Sequence, residues 1–266
     1  MTVVFIAQSL LEQHFLWGVL LLCFAALIAG YIDAVAGGAG LLLIPAMMMA
    51  GVPTQVALGQ EKLVSMVGTL AAIRNFMRSR AIIWQVVPLG VVMALIGAYL
   101  GAKCILILPS TIMTLLVICL LPIGLIITLC KSRLLSQSND RVNGEFASSK
   151  LLLSLVCVSV GFYDGFFGPG TGSLFIIALF LINKFTLLNA SATAKIFNFC
   201  SNFGALIAFV MAGKLLFLIS LPMIAANIIG NHFGSQHTIT SNGRIVQKVL
   251  IMSVGLLMMS LIFHVL

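Results

Sequence analysis

Residues 30–40 read GYIDAVAGGAG, and residues 161–172 read GFYDGFFGPGTG. Each stretch places one aspartate, Asp33 or Asp164, before a cluster of glycines inside otherwise apolar sequence. Glycines that follow an apolar run favour turns and leave backbone N–H groups free, so they break a helix. A carboxylate beside such a break is costly at bilayer depth unless it is paired or functional. The two stretches therefore predict a discontinuous helix, of the kind found in transporters, once in each of two repeats.

The composition is typical of an integral membrane protein. The 266 residues are 61% hydrophobic and only 8% charged, with a mean hydropathy of +1.21, whereas a soluble domain carries roughly a quarter charged residues. The net charge is +8, but the basic residues form no dense patch with interleaved aromatics, so we expect no nucleic-acid partner. The first apolar run follows no basic region and continues into the first glycine cluster, which favours a retained helix over a signal peptide.

Hydropathy divides each half of the chain into five apolar segments. They cover residues 15–35, 41–50, 55–77, 86–104 and 112–130, then 151–167, 173–182, 188–211, 217–233 and 246–265. The second segment of each half is too short to span, because a spanning helix needs about 20 apolar residues. We therefore predict an all-α polytopic membrane protein with broken or short helices at the Asp/Gly motifs and about 8–10 membrane segments.

An ordered series of matches indicates that the two halves are homologous. Residues 131–150 form a hydrophilic linker, so we place the first transmembrane repeat at 1–130 and the second at 151–266. In the third segments, Gln60-Glu61-Lys62 falls opposite Thr193-Ala194-Lys195. In the fourth segments, Gly97-x-x-x-Gly101 falls opposite Gly230-x-x-x-Gly234, and such small-xxx-small surfaces let helices approach closely.

The distribution of basic residues predicts the topology. Three arginines crowd the connection after the third segment, and the linker holds four basic residues, so the positive-inside rule makes both cytoplasmic. In the second half the bias reverses, which is what an inverted repeat would produce. We expect a cytoplasmic linker, both termini outside, and a multi-pass protein of the cell membrane, which is the inner membrane if the source is Gram-negative.

The buried charges leave two interpretations open. Each of the acidic residues Asp33, Glu61 and Asp164 could pair with a lysine or cap a half-helix, or it could carry a coupling proton. Lys62 and Lys195 could be counter-ions for these carboxylates or could contact an anionic substrate. We expect three acidic residues to face three basic ones, with Arg74 as the third base.

The glycine clusters are candidate substrate-binding sites. Their residues are Gly37, Gly38, Gly40, Gly168, Gly170, Thr171, Gly172 and Ser173. Consecutive N–H groups at a half-helix N-terminus bind anions, and tetrahedral oxyanions have several acceptor oxygens that suit them. The alternative is close helix packing alone. Asn198 and Asn202, one turn apart on the face of Lys195, add neutral donors.

No enzyme chemistry is indicated. The four histidines are scattered, and none pairs with a carboxylate at i,i+4, so we expect no metal and no cofactor. We find no Ser/His/Asp or Cys/His constellation, and hence no catalytic residues. A Walker A loop is also absent from the sequence, so the energy source would be an ion gradient.

The motifs resemble those of the sulfite exporter TauE/SafE family, also called the TSUP family of membrane permeases. The matching stretches are GYIDAVAGGAGLLLIP at 30–45, EKLVSMVGTLAA at 61–72, GFYDGFFGPGTGS at 161–173 and ATAKIFNFCSNFGAL at 192–206. One departure is Ala39, where the family often has a glycine. The resemblance implies transport of sulfur-containing anions such as sulfite and sulfoacetate across the inner membrane.

Our hypothesis from the sequence is a secondary transporter of small anions in the lipid bilayer, with a proton as a possible coupling ion. The alternative is a non-transporting membrane component that serves assembly or interaction.

Overall fold

A computed structural model describes residues 10–109 and 150–242, with residues 112, 113, 115, 116, 119 and 120 between them. All regular secondary structure in these ranges is helical. The helices are α1 (Leu10–Gln13), α2 (Phe15–Ala36), α3 (Ala39–Met49), α4 (Thr54–Arg78), α5 (Val87–Ile107), α6 (Lys150–Phe166), α7 (Thr171–Leu181), α8 (Leu187–Met211) and α9 (Phe217–Thr240). The predicted fifth and tenth segments and the linker lie mostly outside the described residues.

Five of the described helices are long and apolar enough to cross a membrane. They are α2, α4, α5 with the 3-10 turn before it, α8 and α9. Two further helices, α3 and α7, are apolar but have only 11 residues each, as the sequence predicted for the second segment of each half. The chain is therefore an all-α, multi-pass membrane protein.

The predicted bounds agree with the helices to within a few residues, except at the end of α9. This helix continues to Thr240, beyond the predicted end at Phe233. Its last turns carry hydroxyl side chains that bond back to the helix: Ser235 Oγ donates to the Asn231 carbonyl, and Thr238 Oγ1 donates to the Gly234 carbonyl. Hydropathy underestimates this end because the helix satisfies its polar side chains internally.

A left-handed glycine marks each break. Gly37, with φ +76°, ends α2 and donates its N–H to the Asp33 carbonyl at 2.8 Å. In the second motif, Gly170 has φ +83° and directly precedes α7. Only glycine adopts this region at little cost, so these residues turn the chain from a long helix into a short one.

The helix of the fourth apolar segment in each half packs against the helices of the first and third segments of the other half. Thus α5 lies against α6 and α8, and α9 lies against α2 and α4. The predicted small-xxx-small surfaces form these contacts, because a Cβ on any of their glycines would overlap backbone atoms of the neighbouring helix. The glycines are Gly97 and Gly101 against α6, and Gly230 and Gly234 against α2.

Side-chain contacts show that α4 and α9 run in the same direction. Near the start of α4, Ser220 Oγ donates to Gln60 Oε1, and near its end Asn75 Nδ2 donates to Ser235 Oγ at 2.9 Å. The glycines of α9 contact successive turns of α2, and residue numbers increase in the same sense along both helices. Helix α2 therefore runs in the same direction as α9 and α4.

In contrast, α4 and α8 run in opposite directions. Gly59, near the start of α4, lies against Phe209 near the end of α8. Ile83, just after α4, donates its N–H to Thr193 Oγ1 near the start of α8, at 3.1 Å. The contacts of α5 with α6 and α8 keep the same order along both helices. Corresponding long helices of the two halves therefore run in opposite directions, which is compatible with inverted repeats.

The contact between α5 and α6 gives the first testable prediction. Replacing Gly97 by leucine should lower the melting temperature of the purified protein in detergent, because the new side chain would overlap the Val158 carbonyl. Overpacking of this kind typically costs ~1–3 kcal/mol. The matched control is Val92→Leu on the same helix, at a position that is 51% exposed. Equal melting temperatures for the two variants would contradict the close contact.

Candidate functional site

Five charged side chains are buried where the two halves meet. Asp33 lies on α2, Glu61 and Lys62 on α4, Asp164 on α6 and Lys195 on α8. None of the five is more than 4% exposed. Charged groups are almost never buried to this extent unless they are paired, so their partners decide what the site can do.

The ion pairs cross from one half to the other. Lys195 Nζ lies 3.0 Å from Asp33 Oδ2, and Lys62 Nζ lies 2.8 Å from Asp164 Oδ1. Each lysine of a third segment thus meets the motif aspartate of the opposite repeat. The geometry brings together the residues that the sequence suggested as counter-ions, while a role of the aspartates in coupling stays a prediction.

A hydroxyl group completes each pair. Thr69 Oγ1 donates to Asp33 Oδ2 at 3.2 Å, and Ser201 Oγ donates to Asp164 Oδ2. We call Asp33, Lys195 and Thr69 the first charge centre. Hydrogen bonds to a carboxylate stabilise its charged form and offset part of the cost of burial.

The second charge centre consists of Glu61, Lys62 and Asp164, and it is not equivalent to the first. Lys62 Nζ lies 3.0 Å from Glu61 Oε2 as well as close to Asp164. Ser65 Oγ donates to Glu61 Oε1 at 2.9 Å. Lys62 therefore pairs with two carboxylates, whereas Lys195 pairs with one.

The expectation that Arg74 would face the buried acids is wrong. Arg74 is exposed and lines a surface cavity of about 360 Å³ together with His232. It follows Lys62 by three helical turns, or about 18 Å along the axis of α4, which places it away from the buried charges. Within the described ranges the buried centres hold three carboxylates and two ammonium groups.

The two glycine breaks touch each other. Gly37 lies against Gly172 with no side chain between them. The Gly37 carbonyl accepts from the Ser173 N–H at 3.0 Å and from Ser173 Oγ at 3.1 Å, and Ser173 Oγ also donates to the Ala36 carbonyl at 2.7 Å. Close packing, the alternative interpretation of the glycines, is thus realised here. Anion binding by Gly37, Gly172 and Ser173 stays a prediction.

Two other glycines lie beside the second charge centre. A Cβ on Gly168, which has φ +100°, would overlap Lys62 Nζ, and a Cβ on Gly40 would lie 3.4 Å from Glu61 Oε1. The second motif therefore contacts the lysine of the first half directly. A larger side chain at Gly168 would displace the ammonium group that pairs with Asp164.

The remaining motif residues, Gly38, Gly170 and Thr171, are also buried. Gly38 is extended, with φ −168°, and a Cβ there would meet Leu41 Cδ1 at 3.4 Å. Gly170 supplies the left-handed turn before α7. Thr171 donates its N–H and its hydroxyl to the Gly168 carbonyl. None of these contacts tests whether the residues bind substrate.

One face of α8 carries a row of buried polar side chains, Ser191, Lys195, Asn198 and Asn202. Asn202 Nδ2 donates to Asn198 Oδ1 at 3.4 Å. Five buried polar side-chain atoms lack a hydrogen-bond partner in the part of the chain that the structure describes, and three of them lie on this face. They are Ser191 Oγ, Lys195 Nζ and Asn202 Oδ1. Because native proteins rarely leave such groups unpaired, this face can accept a polar ligand or water.

A second buried polar row, on α9, was missed from the sequence. Asn231 Nδ2 donates to Asn227 Oδ1 at 2.9 Å, and Asn227 Nδ2 donates to the Ala26 carbonyl at 2.9 Å. The row also includes Ser220, Ser235 and Thr238. Polar residues at i and i+4 on an apolar helix were the available signal.

The row on α9 has no polar counterpart in the first half. Aligning Gly97 with Gly230 places alanines of α5 opposite the row on α9. These alanines, Ala94, Ala98 and Ala102, are fully buried. The two halves thus share a backbone pattern but differ in the chemistry of their interior.

Comparison with known proteins finds one matching family and several related membrane proteins. The profile of the family described as "Sulfite exporter TauE/SafE" matches residues 22–261. A probable membrane transporter protein of Haemophilus influenzae is 34% identical over 225 residues, covering 84% of this chain and 86% of that protein. A probable membrane transporter protein of Escherichia coli K12 is 32% identical over 234 residues, with 86% and 84% covered. No solved structure matches the chain.

Proposed function

The chain belongs to the sulfite exporter TauE/SafE family of membrane transporters, and from that premise we propose that it carries small anions by secondary transport. The proposed substrates are sulfur-containing oxyanions or organosulfonates, and the proposed energy source is an ion gradient. The observation that carries this proposal is the polar face of α8, where the buried Ser191 Oγ, Lys195 Nζ and Asn202 Oδ1 lack hydrogen-bond partners.

Lys195 is the proposed anion contact. An ammonium group has three N–H donors, and Lys195 Nζ has its ion pair with Asp33. The amide groups of Asn198 and Asn202 lie on the same face, one and two turns further along α8. Asn202 Nδ2 donates to Asn198 Oδ1, and Asn202 Oδ1 is unpaired. The proposal therefore requires this amide to turn an N–H toward the substrate, since amide N–H groups bind an oxyanion without adding a full charge.

In the proposed cycle, Asp33 pairs with Lys195 whenever no substrate anion is bound there. With no substrate, its carboxylate neutralises Lys195, because an unpaired buried ammonium is costly. An arriving anion can replace this carboxylate at the ammonium group. Asp33 lies about one turn before the left-handed Gly37, whose N–H it binds through its carbonyl. A movement of Asp33 when Lys195 changes partners would therefore also move the break between α2 and α3.

Transport by the purified protein in liposomes tests the proposal. We expect uptake of labelled sulfite or sulfoacetate, and no uptake of chloride, because chloride offers no oxygen acceptors to several donors at once. Lys195→Met should reduce the uptake about 10–100-fold, since hydrogen bonds to charged groups are worth ~1.5–3 kcal/mol.

The matched control for this assay is Lys103→Met, which removes an exposed lysine of α5. It should transport at the wild-type rate. Failure of the correctly inserted wild-type protein to move any tested sulfur anion would contradict the proposed substrate class. Failure to move any solute at all would favour the assembly component.

A further inference from the structure

The second charge centre contains one carboxylate more than its lysine can neutralise. Glu61 and Asp164 both approach Lys62 Nζ, at 3.0 and 2.8 Å. If all three groups are ionised, the centre carries one net negative charge in a region where none of them is more than 4% exposed. An uncompensated charge in such a place is expensive, and a bound proton is the smallest ligand that removes it.

Glu61 has the weaker set of partners of the two carboxylates. Asp164 accepts a hydrogen bond from Lys62 on one oxygen and from Ser201 on the other. Glu61 Oε1 accepts from Ser65, but Glu61 Oε2 is buried and lacks a hydrogen-bond partner, since its contact with Lys62 Nζ is not aligned as a hydrogen bond. A protonated Glu61 would keep the Ser65 hydrogen bond on Oε1 and would carry its proton on Oε2.

The groups around Glu61 come from three helices. Lys62 and Ser65 lie on its own helix, Asp164 faces it from α6, and Gly40 approaches it from α3. Within the described ranges, Lys62 and Asp164 are the charged groups that act on it.

The repeat supplies an independent argument. The residue that matches Glu61 in the second half is Ala194, and the first charge centre holds one carboxylate for one lysine. The aspartate and the lysine are present in both halves, so the pairing of charges needs only these two residues. Glu61 is the one acidic residue in the buried centres that the duplication does not account for.

We propose that Glu61 binds the coupling proton of the transport cycle. The step is Glu61–COO⁻ plus H⁺ giving Glu61–COOH, which changes the net charge of the second charge centre from −1 to 0. Lys62 then has Asp164 as its single ionised partner, as Lys195 has Asp33. The inference rests on the proposed function, because a coupling proton has meaning only if the protein transports. It predicts one proton for each turnover.

Infrared spectroscopy tests the proton site without any substrate. The full-length protein in nanodiscs is titrated with acid while the C=O stretch of a protonated carboxylic acid is recorded. Three preparations are compared: unlabelled, labelled with ¹³C-carboxyl glutamate and labelled with ¹³C-carboxyl aspartate. Solvated carboxylates remain ionised above about pH 6, so bands that form above that pH report buried groups. In that range we expect a band that shifts with the glutamate label and not with the aspartate label. A band in that range that shifts with the aspartate label, or the absence of any band there, overturns the proposal.

Variants then assign the band to one residue. Glu61→Gln should remove it, and the matched control Glu12→Gln, which changes an exposed glutamate, should leave it in place. Persistence of the band in Glu61→Gln overturns the proposal. Since the labelling experiment uses the wild-type chain, the result does not depend on whether Glu61→Gln folds.

Flux in liposomes, with sulfite as the probe, separates this inference from the proposed function. Glu61→Gln should still exchange labelled for unlabelled sulfite, and the ratio of its pH-gradient-driven accumulation to its exchange rate should fall at least tenfold below the wild-type ratio. Gradient-driven accumulation at the wild-type level in this variant overturns the proton site and leaves the transporter assignment intact. Absence of sulfite flux in the wild-type protein counts against the proposed function, while the infrared band still decides whether Glu61 takes up a proton.

Discussion

Replacing Lys195 by methionine should destabilise the folded protein by ~3–5 kcal/mol, because it leaves the Asp33 carboxylate buried without its counter-ion. Adding Asp33→Asn to the same chain should recover most of this loss, since the asparagine carries no charge and can still bond to Thr69. Unfolding of the purified protein in detergent measures both effects. The double variant should still take up substrate about 10–100-fold more slowly than the wild type, because its site lacks the ammonium group.

The second charge centre provides the matched comparison. At a pH where Glu61 is ionised, Lys62→Met leaves two carboxylates without a counter-ion, so Asp164→Asn alone should recover only part of the lost stability. Further recovery should require Glu61→Gln as well. Recovery by Asp164→Asn that is as complete as that of Asp33→Asn in the first centre would show that Glu61 contributes no charge to the folded protein.

The second large effect is expected at two adjacent glycines. Gly37→Ala should destabilise the protein by several kcal/mol, because an alanine at φ +76° costs roughly 1–2 kcal/mol and its Cβ would overlap the backbone of Gly172, at ~1–3 kcal/mol more. Gly38→Ala should change stability by about 0.5 kcal/mol or less, because its backbone is extended and the Cβ has space.

The two alanine variants are compared by melting temperature and by sulfite uptake. Both keep every backbone N–H group, so a loss of uptake in Gly37→Ala reports the contact between the two breaks and not the loss of a donor. Equal melting temperatures would show that the halves do not touch at Gly37. A greater loss in Gly38→Ala would place the critical turn one residue later than the structure does.

The breaks could be predicted from sequence because the glycine clusters act locally. The ordered series of matches predicts a duplication, and the opposite directions of corresponding helices are compatible with it. Hydropathy located both 11-residue helices, and the glycine clusters marked the turns before them. The small-xxx-small pairs were also visible, and the structure confirms that they are contact surfaces. What they contact could not be predicted, because the neighbours of each fourth helix come from the other half.

The partners of the buried charges show the same limit. The sequence contained Asp33, Asp164, Lys62 and Lys195, but spacing alone does not say which lysine meets which aspartate. We also predicted that Arg74 faces the buried acids, but the helical rise places it about 18 Å from Lys62 along α4. The polar row on α9 was missed because the sequence does not show that its asparagines and hydroxyl residues are buried together. Its function as an internal hydrogen-bonding network depends on burial that only packing defines.

The crossing of the ion pairs has a consequence for biosynthesis. The ribosome adds 5–20 residues per second, so roughly 8–30 s pass between the synthesis of Asp33 and that of Lys195. During this interval Asp33 has no lysine partner from the second half, and the glycine face of α2 has no α9 to pack against. The first half is therefore synthesised before Lys195 exists. Until Lys195 is in place, water or the insertion machinery must solvate the Asp33 carboxylate.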